Sequence, residues 1–379
     1  MRMYCTVFGA LLKHIPWSVF DRLVDEHQGD QKVRRLSMRD QFTALLYGQL
    51  SGAVSLREIV GALESHHQAF KRSHVRPVQR SSLAEANAKR PVAVFAGLFA
   101  HLSGRLMRSA RRPLSQIVRL MDATHLLRDH KLHLLYDPCV DCPLDPRIGR
   151  ALSPDLTFAQ TMNLEAGATY VFDLGYYDYG FWARLDKHGC RFVTRLKKNT
   201  SLRHVHRLPV ERQDAQQDAQ QDAQGANTIL SDTIGFLPER LAASRRNPMS
   251  HAVREIVVRI ETGKTLRLVT NDLDAPAHEI ADLYKARWQI ELLFKWIKQH
   301  LKIKHFLGTS TNAIQTQIYV ALIAYVLIRL AKAAQTHIKS PLSFIRLIKT
   351  NLTHTKTIQN LLKPPQIPIK NSKQMKLNL

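Results

Sequence analysis

Residues 168–182, ATYVFDLGYYDYGFW, carry the pattern that decides the fold class. The apolar run from Thr169 to Phe172 predicts a short strand that ends on Asp173, and Gly175 lies in the turn that follows. Residues 176–188 then favour a helix, and residues 191–196 favour a further strand. Because strands alternate with helices here, the sequence predicts an α/β fold with a mixed sheet.

An earlier stretch, QIVRLMDATHLL at residues 116–127, repeats this design. Its short apolar strand ends on Asp122, and a second strand is predicted at residues 131–136. Further along, residues 255–260 and 265–270 predict a hairpin. Before the first acid, apolar residues recur three and four positions apart up to about residue 110, which predicts a helical N-terminal region.

The charge balance of the chain points to a polyanionic partner. Its 379 residues include 55 Lys and Arg against 31 Asp and Glu, which gives a net charge of +24 and a pI near 10.2. Such a field attracts nucleic acid, the commonest polyanion. The alternative is a basic protein whose charge only keeps it soluble.

The other compositional features favour a cytoplasmic protein without a membrane span. Four scattered cysteines are too few for a disulfide scaffold, which indicates a reducing compartment. Cys139 and Cys142 have the spacing of metal ligands, but the prolines beside them favour a turn, and no second ligand pair completes a zinc site. No secretion signal is evident at the N-terminus. The longest apolar run, residues 318–328, is shorter than the roughly twenty residues of a membrane span and predicts a buried core helix.

One acid stands out in the stretch YKARWQIELLFKWIKQ, residues 284–299. Glu291 is the only carboxylate among the last 97 residues, which contain 16 Lys and Arg. On one continuous helix, Tyr284, Arg287, Glu291 and Lys298 would share a strip about 60° wide, beside a separate apolar face. An ion pair between Arg287 and Glu291, stabilising by about 0.3–0.5 kcal/mol, is the simplest explanation of the pairing. It does not explain why the other acids are missing.

Glu291 has two candidate partners in Asp122 and Asp173, which both end apolar strands. Three carboxylates that converge on one point suit Mg²⁺, which binds oxygen ligands together with substrate phosphates. Two such ions about 3.5–4 Å apart can activate a water or hydroxyl and stabilise the leaving oxygen in phosphodiester chemistry. Asp129 and Asp178 are alternative acids, ranked lower because neither directly follows an apolar strand.

The spacing Tyr284-x2-Arg287-x3-Glu291-x6-Lys298 resembles the Y-R-E-K signature of bacterial insertion-sequence transposases of the DDE class. RLMDATH at the first acid, YVFDLGYYDYGFW at the second and the segment around Glu291 share that resemblance. It implies a ribonuclease-H-like catalytic domain at residues 113–340, with a β-rich insertion at about 197–275. It also implies an N-terminal helical DNA-binding domain at residues 1–112, while residues 341–379 would form a basic C-terminal helix and tail.

Carried over by position, the resemblance implies that Asp122, Asp173 and Glu291 are the catalytic metal ligands for Mg²⁺, with Mn²⁺ able to substitute. It implies contacts to DNA from a second set of residues, namely Tyr284, Arg287, Lys295, Lys298 and Trp288. Either Trp288 or Trp296 could stack on a base, although core packing is the preferred interpretation for each. The implied partner is double-stranded DNA, bound by a homodimer associated with the nucleoid.

The resemblance implies a transposase that hydrolyses DNA at transposon ends and joins them to target DNA. A nuclease of the same fold, or a weakened copy that only binds DNA, is the alternative. Two departures from the family pattern favour a copy with weakened catalytic activity. The segment between Asp122 and Lys131 is short, so a strand or turn beside the first acid is expected to be truncated, and Leu174 follows Asp173 where a basic residue is usual.

Overall fold

The computed structural model describes residues 6–109, 112–126, 130–210, 228–242, 245–300, 306–333 and 341–355. The helices within these ranges are α1 (Val7–Leu12), α2 (Trp17–Glu26), α3 (Met38–Ser51), α4 (Leu56–Ser65), α5 (His67–Phe70), α6 (Arg80–Lys89), α7 (Ala93–Arg108), α8 (Asp155–Thr161), α9 (Tyr179–Lys187), α10 (Ala277–Ala286), α11 (Trp288–His300), α12 (Thr311–Ala333) and α13 (Pro341–Asn351). The strands are β1 (Val118–His125), β2 (His130–Asp137), β3 (Cys142–Arg150), β4 (Thr169–Val171), β5 (Arg191–Arg195), β6 (Arg203–Arg207), β7 (Thr228–Phe236), β8 (Arg240–Ala242), β9 (Arg245–Arg246), β10 (Val253–Arg259) and β11 (Thr265–Thr270).

Nine of these strands form one mixed sheet, in the order β3-β2-β1-β4-β5-β11-β10-β7-β6. Strands β1, β4 and β5 are parallel, and the remaining pairings are antiparallel. The mixed α/β sheet and the β10–β11 hairpin are therefore confirmed. Strands β6, β7, β10 and β11, within the section expected to be a β-rich insertion, extend the central sheet beyond β5, while β8 and β9 pair separately.

The sheet separates two hydrophobic clusters. On one face, the side chains of Leu120, Leu134 and Val171 join a cluster that continues into the N-terminal helices and α12. On the other face, Met121 and Tyr170 pack with residues of α8 and α9. Alternate residues of β1 therefore point to opposite faces, as the pleat of a strand requires.

Helix α12 connects the helical region with the sheet. It contacts α3, α6 and α7 on one side and β3 on the other, and most of its residues are buried. By length and composition this helix could cross a membrane, but it lies in the interior of the protein. The core helix predicted around residues 318–328 is confirmed. The domain boundary at residue 112 stays a prediction.

The strands beside the first acid are complete, which corrects the expectation of a truncated strand; the turn between them includes residues 127–129, which lie outside the described residues, so a truncated turn stays a prediction. Strand β1 pairs with β2 from Leu120–Tyr136 to His125–Lys131, and β2 pairs with β3 along its length. The short connection is sufficient because β1 and β2 are adjacent antiparallel strands, which need only a tight turn between them.

Candidate active site

Asp173, just beyond the end of β4, lies level with Asp122 on the neighbouring parallel strand β1. The parallel register of β1 and β4 pairs Leu120 with Val171, and two further residues along each chain reach Asp122 and Asp173. Asp122 is within β1, opposite Leu134, rather than at a strand end as the sequence predicted. The error arose because β1 continues through the polar residues Thr124 and His125, which apolar patterning does not include.

Asp173 does follow the end of its strand. It is the N-cap of a 3-10 helix, Leu174–Tyr176, and its side chain accepts a hydrogen bond of 2.8 Å from Gly175 N. Of the two alternative acids, Asp178 caps α9 by accepting a hydrogen bond from Phe181 N. Asp129 lies outside the described residues. The capping role of Asp178 explains its position without any part in the site.

Glu291 lies in the first turn of α11, which packs on β1. Ile290, Leu293, Phe294 and Ile297 are buried, as the helical pattern predicted. The helix is not continuous with the preceding one, however, because α10 ends at Ala286 and α11 begins at Trp288. The single long helix of the sequence interpretation is therefore corrected to two helices that meet at Arg287.

Arg287 connects two of the acids. Its Nη2 lies 2.6 Å from Glu291 Oε1, and its Nη1 lies 3.7 Å from Asp122 Oδ2. The guanidinium is also 5.8 Å from the ring centroid of Tyr284, which is itself buried. The expected ion pair with Glu291 is confirmed, and the same arginine reaches across to the sheet.

Burial raises the pKa of Asp122 to about 6. The negative charges of Asp173 and Glu291 act in the same direction, while the Ala123 N–H and Arg287 oppose the rise in pKa. The three acids are therefore close enough to interact electrostatically.

The donor set has the chemistry that a divalent cation requires, since carboxylate oxygens are the ligands of Mg²⁺ and Mn²⁺. In the described part of the chain, however, no group of three or more His, Cys, Asp or Glu side chains is compact enough to hold an ion. The predicted convergence of all three acids on one point is thus not observed. Arg287 lies between Asp122 and Glu291 and pairs with both.

A cavity of about 440 Å³ opens beside Asp122 and Glu291, and Lys295 and Lys298 also line it. The sequence placed these two lysines near the acids, and the structure brings them together. Trp288, at the start of α11, is 58% exposed, so its preferred assignment to the core is wrong. Trp296 packs edge-on against Tyr325 with ring centroids 4.7 Å apart, as the core interpretation expected.

The sequence interpretation missed two further features of this sheet edge. The β4–β5 register pairs Val171 with Val193, so Arg195 lies level with Asp173 in the same row. Asp155 and Asp173 both border Gly175, where an added Cβ would lie 3.0 Å from a carboxylate oxygen of each. Arg195 could have been suspected because it ends its apolar strand, as Asp173 ends the strand before it. Asp155 gave no such signal.

Residues 110–327, more than half of the chain, match the family model described as Transposase DDE domain. Residues 4–73 match a model described only as a domain of unknown function. A putative transposase, y4zB, of Sinorhizobium fredii is 39% identical over 309 residues, which cover 78% of this chain and 83% of the relative. A probable transposase for insertion sequence element IS5377 of Geobacillus stearothermophilus is 29% identical over 220 residues, or 58% of this chain and 54% of the relative.

These matches agree with the architecture and the site. The DDE domain implies a ribonuclease-H-like fold, and proteins of this family typically use divalent metal ions. The matched region contains the strands that carry Asp122 and Asp173 and the helix that carries Glu291. The chain therefore belongs to the DDE transposases of insertion sequences.

Proposed function

We propose that the protein cleaves DNA at the ends of its own insertion sequence and transfers the freed 3′ ends into target DNA. The observation that carries this proposal is the position of Asp122 level with Asp173, with Glu291 of α11 lining the same cavity as Asp122. The net charge of +24 supports a DNA substrate.

Asp122, Asp173 and Glu291 would hold the divalent ions, Mg²⁺ or Mn²⁺, after their side chains draw together, since the described arrangement is not compact enough to hold an ion. Bound ions would lower the pKa of the attacking water or hydroxyl and stabilise the leaving oxygen. The protein itself orients the acids: the Ala123 N–H donates to Asp122 at 2.7 Å, the Gly175 N–H donates to Asp173, and Arg287 pairs with Glu291.

Arg287 and Lys298 of the Y-R-E-K signature, together with the neighbouring Lys295, would bind the DNA backbone. Lys295 and Lys298 line the cavity beside the acids, where their ammonium groups can contact phosphates as point charges. Arg287, which pairs with Glu291 and reaches Asp122, would place its positive charge where the DNA backbone meets the acids. The exposed ring of Trp288 supports stacking on a base near the cleaved end.

A basic hollow supports DNA binding by the N-terminal helical region. It has a volume of about 500 Å³ and lies at the loop between α2 and α3, lined by Arg34, Arg35, Arg39, His74 and Arg76 together with Asp30 and Asp40. The first two arginines are exposed. Region 1–112 would thus recognise the transposon end, while the acids at the sheet edge would cleave it. Two copies of the protein would form a homodimer that pairs two transposon ends in the bacterial cytoplasm.

The test uses DNA that carries the flanking ends of the coding region. With Mg²⁺ or Mn²⁺, the wild-type protein should nick at the end and give strand-transfer products, and Glu291→Gln should bind the same DNA without cutting. Nicking without strand transfer would instead identify a nuclease. Binding without any cutting under either metal would contradict the proposal and identify a DNA-binding copy that has lost catalysis.

A further inference from the structure

Arg195 continues the row of charged residues across the parallel strands. Asp122 on β1 is level with Asp173 after β4, and Asp173 is level with Arg195 at the end of β5. Residues level with one another on adjacent strands point to the same face, so Arg195 lies on the face of the sheet that carries the acids. Its charge reaches Tyr284, where it opposes the rise in pKa that burial causes. Its Nε is buried and makes no hydrogen bond within the described residues.

The side chain of Arg267 holds the backbone of the loop that follows Arg195. Arg267 Nη1 donates to the carbonyl oxygens of Lys197 and Lys198, at 3.0 Å each, and its Nη2 donates to the carbonyl of Thr200 at 3.0 Å. Arg267 is in turn fixed by an ion pair with the buried Glu255. Loops without regular structure usually satisfy their carbonyls with water, so this clamp gives the loop one defined conformation.

A second contact attaches the same loop to the chain after Asp173. The Lys197 ammonium lies 4.4 Å from the ring centroid of Tyr177, which is four residues beyond the aspartate. The Tyr177 hydroxyl is 2.8 Å from Thr200 Oγ1. Lys197 and Lys198 are exposed. In the described part of the chain, neither they nor Arg195 forms an ion pair with a carboxylate.

We propose that Arg195, Lys197 and Lys198 form a second phosphate-binding surface, which holds the DNA backbone on the Asp173 side of the acids. Lys295 and Lys298 flank the acids on the β1 side, so the backbone would cross the row between two sets of cations. A phosphate that approaches three carboxylates is repelled, and cations on both sides offset this repulsion. Because Arg267 pre-orders the loop, less conformational entropy is lost when DNA binds. This inference rests on the proposed function.

The test measures binding of a short fluorescent DNA duplex of random sequence, in EDTA, over a series of salt concentrations. The slope of log K against log[salt] is negative, and each phosphate contact that is lost should decrease its steepness by about 0.9. We expect a decrease of about 1.8 for the double variant Lys197→Ala/Lys198→Ala. Lys187→Ala, which removes an exposed lysine from the end of α9, is the matched control and should keep the wild-type slope.

Arg267→Gln tests whether the clamp acts through the lysines. On the wild-type background it should reproduce most of the loss of affinity seen in the double variant, and on the double-variant background it should add little. A fully additive effect would show that Arg267 does not position this loop for DNA, which overturns that part of the proposal.

The double variant gives the decisive result because both lysines are exposed and their removal leaves the core unchanged. If the double variant keeps the wild-type slope, the inference is overturned. The proposed function still stands in that case, as long as the wild-type protein binds and cuts end-containing DNA. If the wild-type protein binds no duplex at all, it is the proposed function that fails.

Discussion

Asp122 lies level with Asp173 across two parallel strands that are adjacent in the sheet but separated by more than forty residues in the chain. The relationship places two carboxylates on one face of the sheet, at the edge where α11 presents Glu291. Burial is the largest cause of the raised pKa of Asp122; the negative charges of Asp173 and Glu291 add to the rise, and Arg287 opposes it. The predictions below follow from this concentration of negative charge.

Asp122→Asn should stabilise the metal-free protein at pH 8. The folded-state pKa of Asp122 is raised to about 6, above the value of 3.8 for an unperturbed aspartate, so its ionisation costs folding free energy above pH 6. A shift of this size corresponds to at most about 3 kcal/mol, a net figure that already includes the favourable pairing with Arg287. The stabilisation should disappear below about pH 4, where the carboxyl is protonated in both states.

Thermal melts in EDTA at pH 8 and pH 4 measure this difference. Asp25→Asn, at an exposed acid of α2, is the control and should change the melting temperature little at either pH. An Asp122→Asn protein that is less stable than the wild type at pH 8 would contradict the charge account.

Mn²⁺ should raise the melting temperature of the wild-type protein and leave that of Asp122→Asn almost unchanged. A ligand that binds only the folded state stabilises by about 2.7 kcal/mol at 100 times its dissociation constant. Calorimetry with and without EDTA measures the effect. Equal stabilisation of both proteins would place the bound ion elsewhere.

Arg287→Met should destabilise the protein by up to about 3 kcal/mol, because it leaves Asp122 and Glu291 without their shared cation. Urea unfolding measures the loss. Adding Glu291→Gln to Arg287→Met should recover part of the stability but no DNA cleavage, since it removes the repulsion together with a proposed metal ligand. If the double variant is no more stable than Arg287→Met, repulsion between Asp122 and Glu291 does not cause the loss of stability.

Gly175→Ala should impair DNA nicking more than it impairs stability. An added Cβ would lie 3.0 Å from Asp155 Oδ2 and 3.0 Å from Asp173 Oδ1, so it must displace at least one carboxylate. Gly61→Ala in α4 is the matched control, because nothing lies within 4 Å of its added Cβ. Single-turnover nicking rates and melting temperatures measure the two effects. If Gly175→Ala nicks DNA at the wild-type rate, the position of the Asp173 carboxylate does not depend on a residue without a Cβ at 175.

The two tryptophans of α11 should respond oppositely to alanine substitution. Trp288 is 58% exposed, so Trp288→Ala should leave stability nearly unchanged and weaken binding to the DNA end by about 1–3 kcal/mol through lost base stacking. Trp296 packs on Tyr325, so Trp296→Ala should cost about 3 kcal/mol of folding free energy. Anisotropy with end-containing DNA and urea unfolding separate the two effects. A large loss of stability in Trp288→Ala would reverse its assignment.

Features that depend on neighbouring residues could be predicted from the sequence. The β10–β11 hairpin, the buried face of α11 and the Arg287–Glu291 pair all follow from spacings of a few residues. The break at Arg287 could not be predicted in this way, because no glycine or proline marks it. Helix geometry also placed both tryptophans outside the apolar face, and only the packing of α12 against Trp296 distinguishes them.

Features that depend on the order and register of distant strands could not be predicted. The rows that align Asp122, Asp173 and Arg195 arise from β1, β4 and β5, whose pairing is specified by packing across the whole sheet. The same holds for Arg267, which holds a loop about seventy residues away along the chain. Local patterning identified the acids, whereas tertiary structure determined which cations border them.

The central claim, that Asp173 holds a catalytic metal ion, is tested most directly by changing the hardness of that ligand. Asp173→Cys should be unable to nick end-containing DNA with Mg²⁺, because a thiolate is a poor ligand for this hard ion, and should regain nicking with the softer Mn²⁺. Asp173→Ala should stay inactive with both metals. Nicking by Asp173→Cys at the wild-type rate with Mg²⁺, or nicking by the wild-type protein in EDTA, would contradict the account.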